Sequence, residues 1–588
     1  MALTKNRFAV LAHLAVNGAS SQRAIARETG LSLGTVNGAL RELKAAGLVD
    51  AAGSPTELAF EALSPYKAQN AVIMAAGMST RFAPLSYERP KGVLKVRGEV
   101  LIERQIRQLQ EAGIQDIIVV VGYMKEQFFY LEDKFGCRIV VNEEYAVRNN
   151  NSTLMLVRED LGNTYICSSD NYFTQNVFEP YVYQAYYAAT FFEGSTEEYL
   201  LDTGAGNRIT AVQVGGSDAY GMLGHAYFDR SFSQRFCEIL VDEYGKPETA
   251  SLLWEDIFAA HVSELPMVMR PYDEGVIWEF DSLDELQTFD GAFVENVDSS
   301  ILDNICATLG CQRSDIRGIK PICRGLSNLS FRFVVGDGRY VYRHPGAGSE
   351  AIIDRRAETF SQETAFRLGL DDTYIHEDPA TGWKISRYLP QCEKLDYGDG
   401  DQVREALRMM RTLHGCGVES EFAFDLYDRA QRMLDLMDES HRASFPDFQP
   451  LDQSIAALAD YLRDEGGQAC LCHNDLYDTN LLVADGRVHM IDWEYSGMSD
   501  YASDLGTFIC CSPYSPQEVL QVLEGYFQRE PTQQELAHCL AYTALASYHW
   551  FIWALYKDAC GAPVGEWLYL WYKSAKLYSR KAAELIGL

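Results

Sequence analysis

Residues 67–296 alternate between the hydrophobic periods of strands and of helices. Two apolar, β-branched runs of strand length, AVIMAA (71–76) and DIIVVVGY (116–123), flank LIERQIRQLQEAG (101–113), whose apolar residues recur with helical spacing. TYICSSDNYF (164–173) continues the series as a further strand. A strand, a helix and a second strand at this spacing predict a right-handed βαβ unit within a mostly parallel sheet.

The pattern changes on both sides of this region. Residues 1–66 predict short helices, with SSQRAIARETGLSLGTVNGALRELKAAGLV (20–49) forming a helix, a turn and a second helix. Residues 297–588 begin with a small β-rich part that includes the hairpin SFRFVVGDGRYVYRHPG (330–346), and later become mostly helical. We therefore predict a multidomain chain divided into 1–66, 67–296 and 297–588, because one core rarely grows beyond about 250–300 residues.

Composition narrows the classes of function. The net charge of −32 argues against general nucleic-acid binding, which needs a basic surface, and weakly favours a cationic small molecule. The fourteen cysteines show neither a repeating framework nor a His/Cys cluster at zinc spacing, which is typical of reduced thiols in a cytoplasmic protein. The sequence offers no signal peptide and no run of about 18 apolar residues, so we expect no membrane span.

Candidate phosphate-binding residues follow the first predicted strand. Ala76 and Gly77 would let backbone amides approach phosphate oxygens closely. Arg81 would grip a triphosphate with paired hydrogen bonds, and Lys91, held in an extended stretch after a proline, would reach the α-phosphate or the incoming phosphate. The full spacing AAGxxxRxxPLxxxxPK is more specific than a glycine loop alone.

This stretch resembles the sugar-phosphate nucleotidyltransferases, and among them the bacterial CTP:phosphocholine cytidylyltransferases. The resemblance implies an α/β domain with a Rossmann-like sheet, in which Asn150 and Ser152 lie near the nucleotide. It also implies that Asp170 and Glu255, or Asp256 in place of Glu255, hold Mg²⁺ at the α-phosphate of CTP. Alternatively, Asp170 is a turn residue at a strand end and Glu255 a solvated charge on a helix.

A second set of catalytic residues lies in LCHNDLYDTNLLV (471–483). His473, Asp475 and Asn480 have the H-x-D-x-x-x-x-N spacing of kinase catalytic loops. Asp475 would orient or accept the proton of a substrate hydroxyl. Asn480 and Asp492, the latter at the end of an apolar strand, would hold Mg²⁺ on the phosphates of ATP.

The C-terminal part resembles the choline/ethanolamine kinase and aminoglycoside phosphotransferase superfamily, which implies a protein-kinase-like α+β domain with two lobes. In this resemblance Arg343 stands where protein kinases place a phosphate-pairing lysine, with Glu358 as its ionic partner and Arg387 in the hinge that meets adenine. The arginine leaves the preference for ATP over GTP open. The implied nucleotide-binding residues are Gly325, Ser327, Asn328, Arg343, Glu358 and Arg387.

Substrate identity depends on the aromatic residues. Eleven of them lie between 542 and 578, including four of the eight tryptophans. A quaternary ammonium has no hydrogen-bond donor and is best held by aromatic faces near a carboxylate, whereas aromatics at helical spacing are also common in cores. The predicted contacts are Trp550, Trp553, Tyr556, Tyr572, Tyr495 and Glu494 for choline in the kinase, and Tyr220, Trp254 and Trp278 for phosphocholine in the transferase.

Both resemblances together predict a bifunctional enzyme that requires Mg²⁺. It would phosphorylate choline with ATP and couple phosphocholine to CTP, giving CDP-choline and pyrophosphate, and the resemblance implies that the phosphocholine decorates surface glycans. The alternatives are a sugar or ethanolamine kinase fused to the matching nucleotidyltransferase, and a ligand-sensing transcriptional regulator. Residues 1–66 resemble a winged helix-turn-helix, for which DNA contact and protein–protein contact both stay open, as does a homo-oligomer.

Overall fold

The structure, a computed structural model, describes residues 3–322, 328–346, 352–467, 469–562 and 564–588. The predicted nucleotide-binding residues Gly325 and Ser327 lie outside the described residues. The chain divides into two compact units, Met1–Asp303 and Asn304–Leu588.

The first unit begins with a small group of helices around one apolar cluster. These helices are α1 (Lys5–Asn17), α2 (Gln22–Thr29), α3 (Leu33–Ala45) and α4 (Glu57–Leu63). The predicted helix, turn and helix are confirmed. Ser32 caps α3 by accepting a hydrogen bond from the amide of Thr35 at 3.1 Å, and the chain leaves the helix at Gly47, whose φ is 74°. A bridge between Val49 and Pro55 closes the loop before α4.

This helical module packs on the remainder of the first unit through aromatic rings. Tyr66 stacks on Tyr183 with centroids 5.6 Å apart, and Phe8 contacts both rings. The side-chain amide of Asn163 donates to the carbonyls of Pro65 and Lys67 at 2.8 and 3.0 Å. The helical module therefore packs against the α/β domain close to the residues that lead into the first strand of the central sheet.

The remainder of the first unit is an α/β domain. Its strands are β1 (Asn70–Ala75), β2 (Lys95–Val96), β3 (Glu99–Val100), β4 (Asp116–Val121), β5 (Arg138–Val141), β6 (Thr164–Ser168), β7 (Tyr172–Phe173), β8 (Tyr186–Thr203), β9 (Ile209–Phe228), β10 (Val268–Pro271) and β11 (Ile277–Trp278). Its helices are α5 (Leu101–Glu111), α6 (Tyr130–Phe135), α7 (Asn151–Leu156), α8 (Arg230–Tyr244), α9 (Trp254–Ala260), α10 (Leu283–Phe289) and α11 (Phe293–Asn296). The next helix, α12 (Ser300–Leu309), begins in the first unit and continues into the second.

The central sheet has the strand order β10-β8-β9-β6-β1-β4-β5. As predicted, β1 pairs in parallel with β4, and α5 connects the two strands. β6 and β5 extend the parallel part, while β9 runs antiparallel to both β6 and β8. Parallel strands end at one edge of a sheet, so the loops that follow β1 and β6 meet there.

The second unit combines a small β-rich part with a larger helical part. Its strands are β12 (Arg317–Ile322), β13 (Asn328–Val335), β14 (Gly338–Pro345), β15 (Tyr374–Glu377), β16 (Lys384–Arg387), β17 (Glu393–Lys394), β18 (Cys470–Cys472), β19 (Leu481–Ala484), β20 (Arg487–Met490) and β21 (Gly497–Ser499). Its helices are α13 (Arg355–Arg367), α14 (Gly400–His414), α15 (Leu426–Asp435), α16 (Glu439–Ala443), α17 (Phe448–Glu465), α18 (Tyr501–Cys510), α19 (Pro516–Phe527), α20 (Gln533–Ala559) and α21 (Trp567–Ile586).

The β-rich part is an antiparallel sheet with the order β12-β13-β14-β16-β15, and the predicted hairpin is its β13–β14 pair. In the helical part, α14, α15, α17, α18 and α20 share one apolar core with the segments that flank the predicted catalytic loop. That loop runs from the end of β18 to β19. Across the described parts of the chain, the helices are too short or too polar to cross a membrane.

Candidate active sites

A pocket of about 180 Å³ opens at the carboxyl edge of the first unit's central sheet. Its lining includes five residues that the sequence analysis singled out, which come from the ends of neighbouring strands and the loops beyond them. They are Ala76, Gly77, Lys91, Asn150 and Asp170. The parallel arrangement of β1 and β6 explains why residues so distant in sequence meet.

Lys91 and Asp170 form a buried ion pair in this pocket, with Nζ and Oδ2 2.9 Å apart. Ser168 donates a further hydrogen bond to Asp170 at 2.5 Å. Burial opposes both charges, but their mutual attraction prevails, raising the pKa of Lys91 and holding the pKa of Asp170 below its usual range. Lys91 begins a 3₁₀ turn instead of lying in an extended stretch, and a side chain at Gly92 would come within 2.8 Å of Ser169.

Two further carboxylates, which the sequence analysis missed, lie beside this pair. Glu279 accepts a hydrogen bond from the amide of Asn171 at 3.0 Å, and Asp281 lies 3.4 Å from Arg81. Loss of solvent around the carboxylate and the charge of Asp170 raise the pKa of Glu279 to about 8, although its side chain still reaches solvent. The sequence signal that could have identified them is their spacing, because Glu279 and Asp281 stand at alternate positions directly after the β-branched and aromatic residues of β11.

Glu255 belongs to a separate set of hydrogen bonds. Its carboxylate accepts from Asn150 and from the hydroxyl of Tyr187, both at 3.1 Å, and burial raises its pKa to about 7. Ser152 is buried and donates to the carbonyl of Asn149 at 2.8 Å, so it stabilises the asparagine turn and does not line the pocket. Glu279 interacts electrostatically with Asp170, and the oxygen atoms of Asp170, Glu279 and Asp281 fit the ligand preference of Mg²⁺.

The predicted phosphocholine cage of the transferase does not form. Trp254 is only 1% exposed and packs in the core against Tyr187 and Phe228, with centroids 5.6 and 5.2 Å away, so its assignment to the pocket is wrong. Tyr220 pairs with Phe191 on the β8–β9 hairpin, and Trp278 packs on Phe289. The three rings therefore belong to three different clusters.

In the second unit, the catalytic-loop residues converge as their spacing predicts. The amide of Asn480 donates to Oδ2 of Asp475 at 2.8 Å. The carboxylate of Asp504 accepts the backbone amides of His473 and Asn474 at 3.0 and 2.5 Å, which fixes the loop. Burial, together with the charges of Asp492 and Glu494, raises the pKa of Asp475 well above its usual range. With Asn480 and Asp492, Asp475 offers oxygen donors of the kind that Mg²⁺ prefers.

Arg343 is buried between two carboxylates. It donates to Glu358, the ionic partner that the resemblance implied, and to Glu377 at 3.1 Å. Although burial opposes its charge, Glu358 has a pKa held far below its usual range by Arg343 and two further cations. Arg343 also lies 3.8 Å from Asp492, so the network connects the β-rich part to the catalytic loop.

Glu494 and Asn328 lie on the same side of the site. The amide of Asn328 donates to Glu494 at 3.0 Å, and Arg355 lies 3.8 Å from the same carboxylate. Burial and the charge of Asp492 raise the pKa of Glu494 to about 7. Arg387 is exposed at the end of β16.

Tyr495, which follows Glu494 in the chain, forms one aromatic cluster with Trp550 and Trp553 of α20. The indole of Trp553 donates to the hydroxyl of Tyr495 at 3.0 Å, and Trp550 contacts both rings at 5.3 and 5.7 Å. Burial and the charges of Glu494 and Asp475 raise the pKa of Tyr495, which ties the cluster to the catalytic carboxylates. All three rings are also well covered, since none is more than 7% exposed.

Two of the predicted cage residues lie differently. Tyr572 packs against Phe445 and Phe551 and donates to Asp447, in another cluster. The neighbouring Trp571 instead contacts Trp550 and Trp553 at 5.9 and 6.2 Å. Tyr556 is half-buried one turn after the tryptophans of α20. Tyr572 and Trp571 thus belong to different clusters, because neighbouring positions on a helix face different sides.

Three parts of the chain match known families. Residues 3–50 match the winged helix-turn-helix DNA-binding family, residues 71–175 the MobA-like NTP transferase domain, and residues 318–538 the phosphotransferase enzyme family.

Individual relatives match the two catalytic parts separately. The 2-aminoethylphosphonate cytidylyltransferase of Lancefieldella rimae is 37% identical over 38% of this chain and 93% of its own length. The choline-phosphate cytidylyltransferase of Streptococcus pneumoniae is 34% identical over 37% of this chain and 94% of its own length. Protein LicA of Haemophilus influenzae is 24% identical over 41% of this chain and 94% of its own length.

Proposed function

The chain belongs to the cytidylyltransferase family and also carries a phosphotransferase-family domain, and from that premise we propose that it makes CDP-choline in two steps. The second unit transfers the γ-phosphoryl group of ATP to the hydroxyl of choline. The first unit then joins phosphocholine to the α-phosphate of CTP and releases pyrophosphate. The product of one site is the nucleophile of the other, which is the physical reason for joining both on one polypeptide.

In the kinase step, the choline hydroxyl loses a proton as its oxygen attacks phosphorus. We assign the roles of orienting this hydroxyl and accepting its proton to the carboxylate of Asp475, which accepts a hydrogen bond from the Asn480 amide at 2.8 Å. Asn480 and Asp492 would hold Mg²⁺, which neutralises charge on the ATP phosphates when it is bound. Phosphoryl transfer depends mostly on positioning and electrostatics, so this small set of side chains is sufficient.

In the transferase step, a phosphate oxygen of phosphocholine attacks the α-phosphorus of CTP and pyrophosphate leaves. Lys91 is the buried cation of this pocket, while Arg81 is exposed at its edge beside Asp281. Both would stabilise the negative charge that develops on the phosphates. Asp170 and Glu279, with Asp281 nearby, would hold Mg²⁺, and Glu255 stays a further candidate.

The observation that carries the choline assignment is the aromatic cluster of Tyr495, Trp550 and Trp553 beside Glu494 and the catalytic loop. A trimethylammonium group cannot donate hydrogen bonds, so aromatic faces near a carboxylate suit it better than a sugar-type lining of amide and hydroxyl groups. Ethanolamine, which has three ammonium donors, would be better served by hydrogen-bond acceptors.

The relative that acts on 2-aminoethylphosphonate suggests a second substrate for the transferase. Glu255 and Glu279 lie near the transferase pocket and would attract a cationic headgroup when ionised, but their raised pKa values of about 7 and about 8 shift ionisation to higher pH. A phosphonate, however, contains a carbon–phosphorus bond that phosphoryl transfer to a hydroxyl does not make. The phosphotransferase domain on the same chain therefore favours a phosphate ester as the transferase substrate.

The test is a panel of acceptors incubated with the full-length protein, ATP, CTP and Mg²⁺, with products identified by mass. We expect CDP-choline from choline only when both nucleotides are present, and from phosphocholine with CTP alone. A strong preference for ethanolamine or for a sugar would overturn the choline assignment. CMP-2-aminoethylphosphonate formed faster than CDP-choline would move the transferase to the phosphonate class.

We further propose domain limits at 1–66, 67–296 and 297–588, and a cytoplasmic location, where ATP and CTP are supplied. Nucleic-acid contact by the helix-turn-helix module, a homo-oligomer and use of the product on surface glycans stay predictions. A duplex-binding assay at several salt concentrations tests the first of these, because true phosphate contacts give a steep salt dependence.

A further inference from the structure

A cluster of side chains that could bind a metal ion lies beside the catalytic loop of the second unit, since Cys472 directly precedes His473. His414, Cys470 and Cys472 each place one potential ligand atom within 4.8 Å of the others. Cys470 and Cys472 are two positions apart on β18, so their side chains share one face of the strand. Their Sγ atoms are 3.6 Å apart. Two thiolates that bind one tetrahedral Zn²⁺ at about 2.3 Å are about 3.8 Å apart, so the thiols are already spaced for a shared ion.

His414 is oriented as metal-binding histidines usually are. Its Nε2 lies 2.9 Å from the carboxylate of Asp504, and its Nδ1 lies 2.8 Å from the hydroxyl of Tyr526. A carboxylate that accepts one ring N–H fixes the tautomer in which the other nitrogen is a lone-pair donor. The Tyr526 hydroxyl that now bonds to Nδ1 has Cys470 and Cys472 among its electrostatic neighbours, so this nitrogen lies on the side of the thiols.

The local charge also favours a cation. Cys472 is buried, and Asp504 and Asp500 both act on its thiol. A bound divalent ion would displace the thiol protons and offset the surrounding negative charge.

We propose that His414, Cys470 and Cys472 form a site for one thiophilic divalent ion such as Zn²⁺, with the Tyr526 hydroxyl or a water in the fourth position. Thiolate and imidazole ligands select such ions over Mg²⁺, so the site is chemically distinct from the oxygen ligands around Asp475. The ion would also support the catalytic loop. Asp504, which holds His414, is the residue whose carboxylate accepts the amides of the loop at 3.0 and 2.5 Å.

The experiment uses untagged, full-length protein that has been stripped of metal and then titrated with Co²⁺ as a spectroscopic probe. We expect one equivalent to produce a thiolate-to-cobalt charge-transfer band and intense visible bands of tetrahedral Co²⁺, both removed by an equivalent of Zn²⁺. Cys470→Ser and Cys472→Ser should each lose the charge-transfer band or reduce it by at least half. Cys560→Ser, which removes an exposed thiol outside the site, is the matched control and should keep the full band.

Thermal unfolding provides an independent readout. Zn²⁺ should raise the unfolding midpoint of the wild type and of Cys560→Ser, and should leave that of Cys470→Ser unchanged. Cys470 is only half-buried, so this variant stays interpretable if replacement of the buried Cys472 prevents folding. The proposal is overturned if the wild type gives no thiolate band with Co²⁺, or if the band persists undiminished in Cys470→Ser.

Discussion

The two candidate active sites differ in whether a cation of the protein is paired with their buried catalytic carboxylates. In the transferase, Asp170 faces a lysine of its own pocket at 2.9 Å, and the pair is held in its charged form. In the kinase, Asp475 is surrounded by Asp492 and Glu494, and its pKa is raised well above the usual range. Among the described residues, Arg343 lies 3.8 Å from Asp492 and Arg355 lies 3.8 Å from Glu494, and both arginines make shorter contacts with Glu358.

This difference indicates how much of the charge in each site the protein itself neutralises before the substrates bind. The transferase pocket has a built-in cation ready for the phosphates of CTP. In the kinase site, the arginines 3.8 Å from Asp492 and Glu494 are paired more closely with Glu358. Part of the negative charge is therefore left for ligands to neutralise, and both Mg²⁺ and a cationic alcohol are ligands of that kind. We therefore expect the kinase to depend most on a negative charge, that of Asp475, and the transferase on a positive charge, that of Lys91.

Asp475→Asn should produce the largest effect. It removes the proton acceptor of the kinase, and we expect the rate of ADP formation to fall by about 10²–10⁴-fold. CDP-choline synthesis from supplied phosphocholine should not change, and Asp485→Asn, an exposed acid on the turn after β19, should leave both rates as they are. If both activities fall together with Asp475→Asn, the sites are not independent.

Lys91→Met should lower the rate of pyrophosphate release by the transferase by about 10²–10³-fold. The substitution removes a preorganised cation at the phosphates and leaves Asp170 buried without its partner. The kinase rate is the internal control, and Lys95→Met, at an exposed lysine of β2, controls for loss of charge alone. An unchanged rate of pyrophosphate release would remove Lys91 from the catalytic residues.

Trp553 and Trp254 allow a direct test of this difference, because Trp553 lies in the aromatic cluster of the kinase and Trp254 in the core of the transferase. Trp553→Ala should raise the KM for choline by about 10-fold or more while the KM for ATP changes little, since a cation–π contact is lost. Trp254→Ala should lower the stability of its unit by about 3–5 kcal/mol without a selective effect on the KM for phosphocholine. Equal changes in the KM values for choline and ATP with Trp553→Ala would contradict its role in the cage.

The smallest expected effect is on the pH dependence of choline binding. Glu494 has a pKa of about 7 in the ligand-free protein, so it is mostly neutral below this value and charged above it. The KM for choline should therefore fall by a few-fold as the pH rises through about 7, and Glu494→Gln should flatten the profile. A KM for choline that rises with pH in the wild type would argue against Glu494 as the counter-charge.

Local sequence patterns were sufficient for the elements whose residues are close together. β1, α5 and β4 follow from their periodicity, as does the β13–β14 hairpin with its glycine turn, and the kinase loop follows from the spacing of His473, Asp475 and Asn480. The long β8–β9 hairpin was not predicted, because much of its exposed part lacks a clear alternation. Glu279 was missed because its relation to Asp170 depends on strands that are distant in sequence.

The sequence alone determined which chemistry this protein carries, since the spacing of phosphate-binding and catalytic residues within each loop is a local property. The tertiary structure decided which side chains share a site. Trp254 and Trp553 both occupy helices with apolar neighbours, yet one is enclosed by Tyr187 and Phe228 and the other meets Tyr495. Periodicity indicates that a helix has an apolar side, but what that side faces depends on the packing of elements from elsewhere in the chain.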